Sequence, residues 1–300
     1  MKKKTYLFAL MAMAFTLGSC SDNENGIGSE TSKYITVSTS IGNMTRVATD
    51  AKGGQTFEEG DEISVYAWTG DATVAPETRE RVVNNAINKL TNGSWISNPQ
   101  MLWKNNRDKH YFIGVYPISA ISDLSAGEYT FDETKQVESD LLVAVNKDGL
   151  SYNADAQQTV PLTFTHVMAK LAVNLTYKNQ WGGIPTVEKV VVGNAAKEAT
   201  INYLTKVVTP SATAKEDFSL PEITENTKYI SVIIPQEDVK QLTIVIGGKN
   251  FVYDNGTPFK LESGKITTVN LEVGRDEIKL GDVKITDWED GSTFSGEAIN

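Results

Sequence analysis

Leu171-Ala172-Val173-Asn174-Leu175-Thr176-Tyr177 carries apolar side chains at every second position, the pattern of a strand with one buried face and not of a helix. The same rhythm recurs on both sides of it. Leu242-Thr243-Ile244-Val245-Ile246 and Val269-Asn270-Leu271-Glu272-Val273 repeat it downstream. Upstream, Ile63, Val65 and Ala67 alternate with Ser64, Tyr66 and Trp68, and Ile35, Val37 and Ile41 share a face opposite Thr36, Ser38 and Ser40. Turn signals lie between these runs: Asn92-Gly93, Lys147-Asp148-Gly149, Gly182-Gly183, Gly247-Gly248 and Asp254-Asn255-Gly256. There Gly or Asn supplies the positive φ that tight hairpins need. Short strands with such punctuation predict an all-β chain of antiparallel sandwiches rather than βαβ units.

One stretch departs from that rhythm. Val82, Val83, Ala86, Ile87 and Leu90 are spaced as one face of an amphipathic helix over residues 76–90. Asn84, Asn85 and Asn88 are weak helix formers, and the β-branched pair Val82-Val83 suits a strand equally well. A domain boundary is expected within residues 150–166, where the polar run Ser151-Tyr152-Asn153-Ala154-Asp155-Ala156-Gln157-Gln158 precedes a new set of alternating strands. The length of 300 residues fits two units at about 150 residues each. The expected division is residues 1–19, 20–33, 34–158 and 159–300, the last two being sandwiches each large enough to bury a core.

The first nineteen residues read as an export signal. Lys2, Lys3 and Lys4 precede an apolar run over residues 6–17, too short for a spanning helix of about 20 residues. The run ends in Leu17-Gly18-Ser19-Cys20, which resembles the lipobox of bacterial lipoproteins, where small residues admit the signal peptidase and the Cys thiol is acylated. Cys20 is the expected lipidation site, and more than one acyl chain makes a lasting membrane anchor. Ser21-Asp22-Asn23-Glu24-Asn25 and the Gly-bearing residues after it have nothing to bury and read as a flexible tether over residues 20–33. Acidic residues directly after the Cys also resemble the signal that sends lipoproteins to the outer face of the outer membrane. The localisation expected is an outer-membrane lipoprotein at the cell surface.

Composition narrows the chemistry. With 28 Lys and Arg against 38 Asp and Glu the net charge is −10, and no basic stripe stands out, so nucleic acid is not an expected partner. One Cys excludes a disulfide framework and any multi-thiolate metal site. Two His, at 110 and 166, argue against His-rich metal chemistry. No nucleophile elbow, phosphate loop or His-Glu-x-x-His helix occurs. We therefore expect no catalytic residue, no cofactor and no metal. His166 has no carboxylate at a recognisable sequence distance and reads as a histidine packed at a domain junction. Glu58-Glu59-Gly60-Asp61-Glu62 lacks the ligand spacing of a calcium loop and reads as a solvated turn. Asp287-Trp288-Glu289-Asp290-Gly291 reads as a capped chain end. Trp68, Trp95, Trp103, Trp181 and Trp288 could stack on sugar rings, but five Trp in two sandwiches more often serve packing.

Several phrases in order resemble the fimbrillin family, the FimA- and Mfa-like pilin lipoproteins of Gram-negative anaerobes. They are Phe57-Glu58-Glu59-Gly60-Asp61-Glu62-Ile63-Ser64-Val65-Tyr66-Ala67, then Val115-Tyr116-Pro117, then Ser139-Asp140-Leu141-Leu142-Val143-Ala144. Val160-Pro161-Leu162-Thr163-Phe164-Thr165-His166-Val167-Met168-Ala169-Lys170-Leu171, Ile233-Ile234-Pro235-Gln236 and Ile285-Thr286-Asp287-Trp288-Glu289-Asp290-Gly291 follow. The resemblance implies two tandem transthyretin-like β-sandwiches and a structural or adhesive subunit of a surface fimbria, stalk or tip, without enzymatic activity. It further implies export as a lipoprotein, trimming by an Arg-specific protease near the end of the first strand, and joining to other fimbrial subunits by strand exchange. Thr45-Arg46-Val47 occupies the matching position, so Arg46 and Val47 flank the expected cut. The segment removed would include the strand at residues 34–41. The donor would come from residues 278–300, with Val283 and Ile285 or Phe294 and Ile299 as plugs; a tip subunit would accept a strand and donate none. Host or microbial surface ligands are further expected partners. The rival reading is a surface glycan-binding lipoprotein of a polysaccharide-uptake system.

Overall fold

A computed structural model of the chain describes residues 33–42, 56–153, 158–254 and 256–288. Its first sheet has seven strands: β1 (Thr36–Ile41), β2 (Glu62–Thr69), β3 (Val83–Thr91), β4 (Ser94–Asn98), β5 (His110–Tyr116), β7 (Leu142–Leu150) and β8 (Thr159–His166). Their order is β1-β8-β7-β5-β2-β3-β4. All neighbours are antiparallel except β1 and β8. The sheet curls until its ends meet. Residues ahead of β1 bond to the strap after β4, with Ile35 N–H donating to Met101 O at 2.9 Å, and the Trp95 indole donates to Thr39 Oγ1 at 3.0 Å.

Curling gives the sheet an inside and an outside, and both are apolar. Ile63, Val65, Ala67, Phe112, Leu142, Ala144, Val160, Leu162 and Phe164 form one buried cluster with Ile35 and Val37. Their neighbours in sequence, Tyr66, Trp68, Ile113, Val115 and Val143, belong to a second cluster. β2 is thus buried on both faces from Ile63 to Trp68, where the alternation with Ser64, Tyr66 and Trp68 suggested only one. Ser64 accepts the Ser119 N–H, and the Ile121 N–H donates to the Tyr66 hydroxyl, so the polar atoms on the second face are satisfied.

The second cluster joins that outer face to three further sheets. β6 (Gly127–Thr130), β11 (Glu198–Asn202) and β12 (Val207–Pro210) form a three-stranded layer. β10 (Val187–Ala196), β13 (Lys215–Leu220), β16 (Gln241–Ile246) and β17 (Lys249–Asp254) form a four-stranded sheet, order β13-β10-β16-β17. β9 (Ala169–Tyr177), β14 (Glu222–Thr224), β15 (Lys228–Ile233), β18 (Lys265–Val273) and β19 (Ile278–Asp287) form a five-stranded one, order β14-β15-β9-β18-β19. Leu171, Val173 and Leu175 of β9 and Val269 and Leu271 of β18 meet Val190, Val192, Leu242 and Ile244 in that cluster, the interleaving of a sandwich. The chain is all-β, built of stacked sheets with antiparallel pairing predominant, as its periodicity predicted.

Two local expectations are corrected. Residues 76–90 are not a helix: a single 3-10 turn at Thr78–Glu80 leads into β3, because Val83 and Ala86 find the inner cluster of the curled sheet. Lys147-Asp148-Gly149 is not a hairpin turn but a bulge inside β7, where the Gly149 N–H donates to Asn146 Oδ1. Beyond residue 158, β8 pairs with both β1 and β7, and the chain leaves the first sheet after His166. Asn92-Gly93 and Gly247-Gly248 do form two-residue hairpin loops, with positive φ at all four residues.

Candidate strand-exchange site

β1 is the element on which the sequence reading turns, and its seat is defined at both edges and on both faces. On one edge it runs parallel to β8 in six register pairs, from Thr36↔Thr159 to Ile41↔Phe164, and Gly42 N–H closes the run on Phe164 O at 2.9 Å. On the other edge the strap at 101–103 takes Ile35 and Lys33. Below, Ile35 and Val37 are 2% and 6% exposed, each contributing about 1.5–3 kcal/mol of burial. Above, Thr36 meets Thr159 and Ser40 meets Thr163 through hydroxyl contacts of 3.2 Å. One face is apolar and the other hydroxylated, as the alternation predicted.

The quoted phrases acquire physical roles around this seat. Phe57 packs edge-on against Trp95, Tyr116 and Phe164 at 5.1–5.4 Å between centroids, beside the inner cluster. Gly60, at φ +99° where a β-carbon is disfavoured, sends its N–H to Leu90 O. Asp61 accepts the Glu58 N–H at 2.7 Å and the Tyr116 hydroxyl at 3.4 Å. Burial, reinforced by the Asp61 charge, pushes the Tyr116 phenol up to about 12. The acidic turn at 58–62 is thus a scaffold for the strand that follows.

A second cluster was invisible in the sequence because its members lie far apart along the chain. His166, at the end of β8, places Nδ1 2.8 Å from Asp140 Oδ1. Its ring lies flat on the Trp288 indole, centroids 4.0 Å apart and planes 7° from parallel. The Lys170 ammonium sits 3.9 Å from the same indole, and Lys170 is 1% exposed. Trp288 N–H donates to Gly264 O at 3.0 Å, fixing the end of β19. His166 is a packing histidine, and its carboxylate partner was hidden by 26 residues of separation.

Of the sequence-predicted site residues, Cys20, Arg46 and Val47 lie outside the described residues, as do Phe294 and Ile299. Val283 and Ile285 are exposed side chains of β19, an edge strand with β18 as its ladder neighbour. Trp68, Trp103 and Trp288 are buried, and Trp95 and Trp181 are half-buried with their indole N–H groups bonded to Thr39 and to Val273 O. Five tryptophans therefore serve packing and do not form an open aromatic platform.

Fold and site together define an all-β sandwich protein whose first strand fills an edge seat in a curled sheet. Comparison with known proteins agrees. The model of the fimbrillin-like family matches residues 45–288. A Bacteroides uniformis protein named "Putative fimbrium subunit Fim1C" is 24% identical over 97% of both chains. The crystal structure of "a putative cell adhesion protein" from Bacteroides ovatus superposes with a TM-score of 0.64 at 18% identity, covering 85% of this chain and 98% of that one. A fimbrial protein from Bacteroides vulgatus shares the fold at a TM-score of 0.52 and 13% identity, over 84% of this chain and 99% of that one. The chain belongs to the fimbrillin-like family.

Proposed function

We propose that this chain is a structural or adhesive subunit of a cell-surface fimbria, with no enzymatic activity. It is exported as a lipoprotein acylated on Cys20, cut between Arg46 and Val47, and joined to neighbouring subunits by strand exchange. The observation that carries this reading is the seat of β1. Lifting β1 out would expose Phe164, Leu162, Val160 and Met101 together with unpaired backbone groups of β8, an edge that demands a replacement strand. A neighbour's strand restores both terms, backbone bonds for strength and alternate apolar side chains for fit. Such head-to-tail addition does not close on itself and yields a filament.

β19 has the form of a donor. Leu280, Val283 and Ile285 lie opposite Leu271, Val269 and Thr267, so all three point to the same side of the strand. They are 37–38% exposed at an unpaired edge. The subunit role and membership of the fimbrillin-like family support each other.

The test is made on cells. Protein sheared from the surface should begin at Val47 and run as a ladder on mildly denaturing gels, whereas Arg46→Ala should leave the chain starting at Cys20 and monomeric. A trimmed chain that stays solitary, with its first sheet still complete, overturns the reading.

A further inference from the structure

We propose that the Asp140–His166–Trp288 stack is a latch coupling the seat of β1 to the hold on β19, so that loss of β1 loosens β19. The inference rests on the reading that β1 is removed. It follows from how unevenly β8 is held. β7 pairs with β8 only at Phe164, Thr165 and His166, while β1 pairs with it from Thr159 to Phe164. Over Thr159–Thr163 the ladder partner is therefore β1, and Pro161 in the middle of that stretch has no N–H to offer another. Without β1, five of the eight residues of β8 lose their ladder, and the three that keep it end in His166.

That ring is the other end of the device. It lies between Asp140 on the 139–141 segment and Trp288 at the end of β19. β19 is an edge strand, and nine of its ten residues are exposed. Its C-terminal end is held by Trp288, through the Gly264 carbonyl, the His166 ring and the Lys170 ammonium. Tilting His166 removes a stacked face and leaves an amphipathic strand tied mainly by its ladder to β18. A subunit built this way keeps its donor-like strand docked while its own first strand is in place.

Coupling of this kind is reciprocal, which gives two independent arms to the test, both on the full chain. Val37→Asp places a charge in the β1 seat and expels the strand. Hydrogen exchange of the amides of Ile278–Asp287 should then quicken roughly fivefold or more, with β10 and β16 still protected. In the opposite direction, Trp288→Ala should quicken the same amides. It should also speed entry of a labelled peptide of residues 34–42 into the β1 seat, and Trp288→Phe should return both to the parent rate. The latch is overturned if β19 exchange is unmoved in a Val37→Asp chain that does take up the peptide, or if Trp288→Ala takes it up no faster than the parent. A Val37→Asp chain that takes up no peptide sinks the removable-strand reading itself, and the latch with it. Should Val37→Asp unprotect β10 and β16 as well, peptide entry into Trp288→Ala decides alone.

Discussion

His110 shows how one buried residue ties this fold to pH. It is 0% exposed, its Nε2 accepts the Lys104 N–H at 3.0 Å, and its Nδ1 donates to Asp108 O at 3.1 Å. That arrangement requires the neutral ring. Burial pushes its pKa below the ordinary 6.5, with the Asp108 carbonyl opposing the shift. An unfolded chain therefore binds a proton near pH 6.5 that the folded chain refuses, so stability falls as pH drops through that value. We expect urea midpoints to decline from pH 7 to pH 5, before the carboxylates titrate near about 4, and His110→Gln to flatten that slope. The sequence marked His166 as a packed histidine. It did not mark Asp140 as the partner of His166, because that pair is made by the return of β8 past the 139–141 segment.

At the scale of elements, the curl of the first sheet depends on one row of inner residues. Ile41, Phe164, Ala144, Gly114, Val65 and Ala86 stand side by side across β1, β8, β7, β5, β2 and β3. Small residues at the centre of the row let the Phe164 ring lie over β7 and reach β5. A β-carbon on Gly114 would sit 2.6 Å from Phe164 Cζ and 3.1 Å from Leu162 Cδ1. Gly114→Ala should cost about 1–3 kcal/mol by overpacking, read as a lower urea midpoint. It should also weaken the hold on β1, because Phe164 and Leu162 form part of its seat. The misreading of residues 76–90 belongs to this scale too. Val83 and Ala86, three positions apart, both reach the inner cluster because β3 bulges between them, with Asn85 at φ 54°, so a bulged strand carries the spacing of a helix face.

For the whole molecule, the decisive feature is that the two hydrophobic clusters do not correspond to two halves of the chain. Tyr66, Trp68, Ile113 and Val115 of the first sheet share a cluster with Val173, Val190, Ile244 and Val269 of the others, and the described strands belong to one compact unit. We expect one cooperative thermal transition, with calorimetric and van't Hoff enthalpies equal; two resolved transitions would show that the sheets unfold separately. The sequence by itself determined that the chain is all-β, where several hairpins turn, and that residues 34–41 form a strand with one apolar face. It did so because alternation and positive-φ residues act within a few positions. Tertiary structure alone decided that β2 is buried on both faces, that β8 stays with the first sheet, and that Asp140, His166, Lys170 and Trp288 meet. Those outcomes depend on which sheet lands on which, and contacts between residues tens to more than a hundred positions apart leave no period in the chain to read.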